Sequence, residues 1–266
     1  MRRTVLTCCA VVLAAASLHA QSFATSACPS SEDSGNHWFG GSDHACEVRS
    51  ATLPLANGRL AVSGTNGSIE VIGEDRQDVA LEARVTAQAG SKGEADSILH
   101  EISIDTAGTI EAHGPKSFGQ RNWSVSYKLR VPHRLAASLH TENGSLSLTA
   151  LDGAIHADTN NGSLKLADLA GDVHVSTTNG SITATLDGST WRGSGLSAKT
   201  TNGGVSVSIP QPYSAHLVAS TVNGGTHLDL PGVDQGSGHR RDIDTNLGSG
   251  GPTVSFETIN GGVSVR

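Results

Sequence analysis

Thr141-Glu142-Asn143-Gly144-Ser145-Leu146-Ser147-Leu148, Thr159-Asn160-Asn161-Gly162-Ser163-Leu164-Lys165-Leu166 and Thr177-Thr178-Asn179-Gly180-Ser181-Ile182-Thr183-Ala184 are one phrase written three times. The Asn-Gly pairs begin at 143, 161 and 179, a period of 18 residues. Midway between them stand Leu151-Asp152-Gly153-Ala154-Ile155 and Leu169-Ala170-Gly171-Asp172-Val173, so a glycine falls every nine residues from 144 to 180. The phrase returns at Thr200-Thr201-Asn202-Gly203, Thr221-Val222-Asn223-Gly224 and Thr258-Ile259-Asn260-Gly261, and Asn57-Gly58 and Asn66-Gly67 again stand nine apart. Eight of the twelve asparagines precede a glycine, far above chance for a chain with 32 glycines in 266 residues. Self-similarity at a fixed short period is the signature of a repeat architecture.

After each glycine, apolar and polar residues alternate at the period of two that sends one strand face inward and the other outward. Leu146, Leu148, Leu164, Leu166, Ile182 and Ala184 are assigned inward, and Ser145, Ser147, Ser163, Lys165, Ser181 and Thr183 outward. Glycine and asparagine tolerate left-handed backbone, which predicts a corner at each pair. A nine-residue unit is then a short strand plus a corner, with too little apolar surface to fold unless copies stack. Two all-β architectures fit. In a β-solenoid, each 18-residue coil gives two strands and like residues stack in columns. In an antiparallel meander or prism, each Asn-Gly is a two-residue hairpin. Recurrence of Thr, Asn, Gly and Ser at matching positions 18 apart favours the solenoid.

Composition points the same way. Nine aromatics and one methionine in 266 residues are too few for a conventional core, which large side chains dominate; thin repeated layers of Val, Leu and Ile replace it. The net charge of −7, spread without a basic cluster, argues against a nucleic-acid partner.

Residues 1–20 read as a secretory signal. Arg2-Arg3 form the basic region, Val5 to Ala16 the apolar run, and Leu18-His19-Ala20 ends in the small residue that cleavage needs. The apolar run is too short for a bilayer span, and no later stretch offers one, so no transmembrane anchor is expected. A lipid anchor at Cys8 or Cys9 fits poorly, because the apolar run follows them. After cleavage only Cys28 and Cys46 remain, an even pair suited to an oxidising compartment. They read as a disulfide. The competing reading, a metal site with His37 and His44, has no recognised zinc spacing.

Residues 21–45, polar and rich in Ser, Gly and Asp, read as a flexible segment, and the folded domain as 46–266. Ser91-Lys92-Gly93-Glu94 is a capping box, followed by Ala95, Ile98, Leu99 and Ile102 at the spacing of an amphipathic helix. That helix is expected to cap the open end of the coils or to pack on the early sheet. Leu129-Arg130-Val131-Pro132 closes a strand. Thr226 stands where the repeat wants an apolar residue, which predicts a distorted coil there.

From about Cys46 to Arg266 the chain resembles the bacterial putative-adhesin family of β-solenoid domains, a family of unknown function. The resemblance rests on the Thr-x-Asn-Gly repeats, the Asp-Gly and Ala-Gly half-repeats, the helix before the coils, Leu129-Arg130-Val131-Pro132, and the closing Leu247-Gly248-Ser249-Gly250-Gly251-Pro252-Thr253-Val254-Ser255-Phe256. It implies a cell-envelope domain, a right-handed or prism-like stack of strands, and no known catalytic residues. A fold-based name carries little functional weight.

Candidate sites are sparse. His156 and His174, 18 apart, should stack on the solvent face, where two ligands are too few for zinc or copper. Asp229, Asp234, Asp242 and Asp244 could gather a cation, but the paired glycines of calcium-binding nonapeptide repeats are missing from the regular coils. No Gly-x-Ser-x-Gly elbow or phosphate-binding loop occurs, and no cofactor is expected. Trp123, Tyr127, Trp191 and Tyr213 are the aromatics available as a carbohydrate platform, with packing as the competing role. The sequence therefore reads as an exported, non-enzymatic binding or scaffold module of the periplasm or cell surface. Its expected partner is an envelope protein or glycan. The alternatives are a polysaccharide-binding or polysaccharide-active protein and an accessory to envelope-stress sensing.

Overall fold

The computed structural model describes residues 23–29, 43–230 and 241–266. Its strands are, in order, β1 (Ala24–Ala27), β2 (Asp43–Pro54), β3 (Arg59–Asn66), β4 (Ile69–Glu74) and β5 (Asp78–Ala89). The helix α1 (Lys92–Glu101) leads into β6 (Ser103–Asp105), β7 (Thr109–His113), β8 (Asn122–Pro132) and β9 (Ala136–Asn143). The regular repeats form β10 (Leu146–Asn161), β11 (Leu164–Asn179) and β12 (Ile182–Thr185). Then come β13 (Gly195–Asn202), β14 (Val205–Ser208), β15 (Ala215–Asn223), β16 (Thr226–Leu228), β17 (Asp242–Leu247), β18 (Thr253–Asn260) and β19 (Val263–Val265).

The repeats stack as a solenoid. β10 and β11 pair in parallel with an offset of 18, Leu146 against Leu164 and Ile155 against Val173. Each is bent at its middle, so its two halves belong to different layers. The first layer runs β2, β5, β8, β4, the front halves of β10 and β11, then β12, β14, β19 and β16. The second runs β6, β7, β3, β9, the rear halves of β10 and β11, then β13, β18, β15 and β17. Leu146, Leu148, Leu164, Leu166, Ile182 and Ala184 are all buried between the layers, as the alternation predicts.

The corners explain the repeated phrase. Thr159, Thr177, Thr200 and Thr258 are buried, and each hydroxyl donates to the carbonyl of the glycine one coil back, at 2.8–2.9 Å. A buried carbonyl left unpaired would cost about 1–3 kcal/mol. The asparagines form a single exposed row in the spatial order 66, 143, 161, 179, 202, 260, 223. Each later amide donates Nδ2–H to the Oδ1 before it, at 2.8–3.1 Å, always in the same direction. The glycine is needed for space: a Cβ on Gly162 would overlap the Gly144 carbonyl. The predicted left-handed backbone is found at Asn57 (φ 53°) and Gly58 (φ 64°), while in the regular coils it lies at the opposite corner, where Ala150 has φ 58° and Asp168 φ 48°. Neither Asn143, Asn161 nor Asn179 has positive φ.

Residues beyond the regular coils keep some expectations and depart from others. Within 21–45, the stretch 24–27 is strand, paired antiparallel to β2 at the sheet edge, and β2 already begins at Asp43, so the ordered sheet reaches past the expected boundary at 46. The signal segment 1–20 lies outside the described residues. Helix α1, capped by Ser91 as predicted, packs on β2 and β5, one of its two expected roles, and buries Ala95, Ile98 and Leu99. Arg49 of β2 donates to the carbonyls of Leu99 and Ile102, satisfying acceptors that a helix end leaves open. Thr226 keeps register with Val263, although β16 is only three residues long.

The coil order also departs from chain order. The chain's last coil, β18–β19, lies between β13–β14 and β15–β16 and is parallel to both.

Two substitutions test this description. Leu164→Asp should unfold the chain or cost several kcal/mol, the scale of an uncompensated buried charge, while Lys165→Asp should cost less than about 0.5 kcal/mol. Thr177→Val, which keeps shape but orphans the Gly162 carbonyl, should cost about 1–3 kcal/mol by denaturant melting, and Thr177→Ser much less.

Candidate functional site

Surface chemistry follows from the stacking: a residue type at one outward repeat position becomes a row across the coils. On the second layer, Ser138, His156, His174, Ser197 and Ser255 form one such row. The His156 and His174 rings face each other with centroids 5.5 Å apart, the stacking that their spacing predicts. Asp172 Oδ1 lies 3.1 Å from His174 Nε2. The parallel row carries His140, Asp158, Ser176, Lys199 and Glu257; His140 contacts Asp158, and Lys199 pairs with Glu257 at 3.0 Å. An open depression of about 310 Å³ lies over His156, Asp158, His174 and Lys199.

A second polar cluster marks the corner opposite the asparagine row. His133 Nδ1 contacts the Ala150 carbonyl at 2.8 Å, Arg134 pairs with Asp152 at 3.6 Å and Arg192 with Asp168 at 3.4 Å. These side chains line a depression of about 290 Å³. Nothing in the repeat pattern announces this cluster, because Arg192 comes from an irregular loop that only the fold brings back to the corner.

The other predicted residues fall as follows. Cys28 and Cys46 are joined as a disulfide with Cα atoms 5.8 Å apart, tying the end of β1 to β2. His37 lies outside the described residues; His44 is on β2, where its carbonyl accepts from Lys92. Asp234 also lies outside them. Asp242 and Asp244 are on β17, and Asp244 is 3.5 Å from His216. Among the described residues no group of three or more His, Cys, Asp or Glu is placed to hold a metal.

The four aromatics are packing residues. Trp191 is buried and its Nε1 donates to the Gly171 carbonyl, while half-buried Trp123 donates to Pro115. Tyr127 and Tyr213 are buried with no partner for either hydroxyl. Burial, with Glu111 adding to it, drives the Tyr127 pKa far above the ordinary phenol value. Burial also pushes Tyr213 up to about 12, with Arg192 opposing and Asp187 adding. Among the described residues Phe118 is an exposed aromatic, in a loop with no periodic pattern to single it out.

The Toastrack DUF4097 family matches residues 135–266, the stretch from β9 to the last coil. Over that stretch the chain is similar to the Toastrack DUF4097 model. The strands of the matched coils pair onward with strands of residues 43–134, outside the match. No curated protein matches the chain. Among solved structures it is similar to a putative cell adhesion protein from Clostridium sporogenes ATCC 15579, at 12% identity and TM-score 0.39, covering 84% of this chain and 98% of that one. A putative adhesin from Bacteroides fragilis NCTC 9343 is similar at 12% identity and TM-score 0.42, covering 82% and 95%. A third, from Parabacteroides distasonis ATCC 8503, has 14% identity and TM-score 0.35, covering 82% and 97%. Likeness at this level says nothing of activity.

The chain's only two tyrosines are both buried, which makes an alkaline titration informative. Their raised folded pKa values favour the neutral phenols, so this contribution to stability is complete below about pH 10, the unfolded value, and is lost as pH rises through about 12. Tyrosinate absorbance at about pH 10, where free tyrosine is half ionised, should be nearly absent in the folded chain and appear on unfolding.

Proposed function

We propose that this chain is an exported, non-catalytic binding or scaffold module of the cell envelope, working through the flat outer faces of its coils. The observation that carries this reading is the layout of the second layer's polar side chains. They stand in straight rows one rung apart, about 4.8 Å, rather than converging on a common point as catalytic groups must. Such rows suit an extended partner with its own short repeat, a glycan or a protein strand. Export is supported by Arg2-Arg3, the apolar run from Val5 to Ala16 and the Cys28–Cys46 pairing, since disulfides persist in oxidising compartments. No helix among the described residues is long and apolar enough to cross a membrane.

The test is capture from envelope extract, with cell-wall and outer-membrane glycans assayed in parallel. Wild-type chain should retain a partner that a His156→Ala, His174→Ala, Lys199→Ala triple variant binds at least tenfold more weakly. Turnover of any glycan by purified chain would overturn the non-catalytic reading. Denaturing thiol labelling of the exported chain should find Cys28 and Cys46 unreactive; two free thiols would remove that support for export.

A further inference from the structure

The chain's last coil is out of place in a way that divides the molecule. β15–β16 precedes β18–β19 in the chain but lies outside it in the stack. Among the described strands, β15 and β16 pair with β17, β18 and β19, and none of their pairings reaches β13 or β14. Strands β15 to β19 therefore form one module, with β15 flanked by β17 and β18. This module is joined to the preceding coils through one rung of strands, β13 with β18 and β14 with β19, extended by Ile209 N–H donating to the Arg266 carbonyl and by Ser214, which bonds Ser189 and Thr190 of the body.

That rung contains nothing special to this joint. Thr258 donates to the Gly203 carbonyl at 2.8 Å and Asn260 to Asn202 at 2.8 Å, as Thr177 and Asn179 do at 2.8 and 2.9 Å one coil apart in the regular repeat. Backbone bonds from Gly203 to Asn260 and from Val205 to Gly262 complete it, with Lys199–Glu257 outside and Phe256 buried within. The link between body and module is Ile209-Pro210-Gln211-Pro212-Tyr213-Ser214.

We propose that the open rung of β13–β14 is an exchange site, which takes the β18–β19 coil of a second copy as well as its own. Two copies then trade their β15–β19 modules and assemble as a closed dimer. The partner is fixed by complementarity: a second copy offers the same Thr258, Asn260 and Phe256 to the same Gly203, Asn202 and Ala198. The contacts across the joint, those of Ile209 with Arg266 and of Ser214 with Ser189 and Thr190 included, are remade in the exchange, and residues 210–213 change course. Exchange of an identical element is a low-cost route to a dimer. The inference does not depend on the envelope ligand or on the non-catalytic reading.

The test uses full-length chain with Cys8→Ser and Cys9→Ser, carrying either Ser206→Cys or Ser264→Cys. These serines are in direct register across the joint, about 4.8 Å apart at Cα, within the roughly 7 Å reach of a disulfide. The two variants are unfolded together without reductant, refolded over a range of concentrations and oxidised. Neither can bridge 206 to 264 within one chain, so a mapped 206–264 cross-link reports exchange. The expected result is a covalent dimer whose ratio to monomer rises roughly in proportion to monomer concentration, by mass action. It should be absent when the folded variants are mixed without unfolding. The proposal is overturned if the Ser206→Cys, Ser264→Cys double variant closes its bond within the monomer while the mixture gives no interchain bond at any concentration. The Lys199→Cys and Glu257→Cys pair, across the same joint on the other layer, repeats the test should the first pair disturb folding.

Discussion

Everything in the stack depends on how closely successive Asn-Gly corners approach. A solenoid coil has no independent core, so its strands must lie at hydrogen-bonding distance from the coils on both sides throughout their length, corners included. At the corner the backbone turns, and a peptide carbonyl is carried into the space between coils. Gly162 leaves room for the Gly144 carbonyl, and the Thr159 hydroxyl satisfies it at 2.9 Å. The asparagine then secures the outer rim through its neighbour's amide. Threonine, asparagine and glycine recur because one geometric problem recurs.

Much of this was legible in the sequence. The 18-residue spacing becomes the strand offset of β10 and β11, and the alternation of Leu164 and Lys165 becomes inside and outside. Ser91 caps α1, because a capping box is a local signal that needs no knowledge of the fold. What was hidden is equally instructive. Every coil carries the same contact chemistry, so the phrase at Thr258 could not reveal that its place in the stack lies before Thr221's. In the regular coils the left-handed residues Ala150 and Asp168 are neither glycine nor asparagine, so residue type did not single them out as it did Asn57 and Gly58. Strand β1 is four exposed residues, too polar to show an alternation.

Candidate surfaces divided along the same line. His156 and His174 were found from their spacing, because stacking converts a sequence interval into a contact. The corner cluster of His133, Arg134 and Arg192 was not, because Arg192 enters from a loop that lengthens the 18-residue interval to 23. Rows of polar residues on the layers are direct products of repetition. Trp191, Tyr127 and Tyr213, which a sugar-binding platform would expose, are instead buried in the core.

The asparagine row has one further property. Its six amide bonds all point the same way, from Asn223 back toward Asn66, and hydrogen-bonded groups in series polarise one another. Their dipoles therefore add instead of cancelling, as the peptide dipoles of a helix do but here in side chains along an exposed rim. One edge of this molecule has an electrical direction that its formal charges do not supply. The negative pole lies at the Asn223 carbonyl, at the end of the stack that the chain reaches before its final coil slips in behind it.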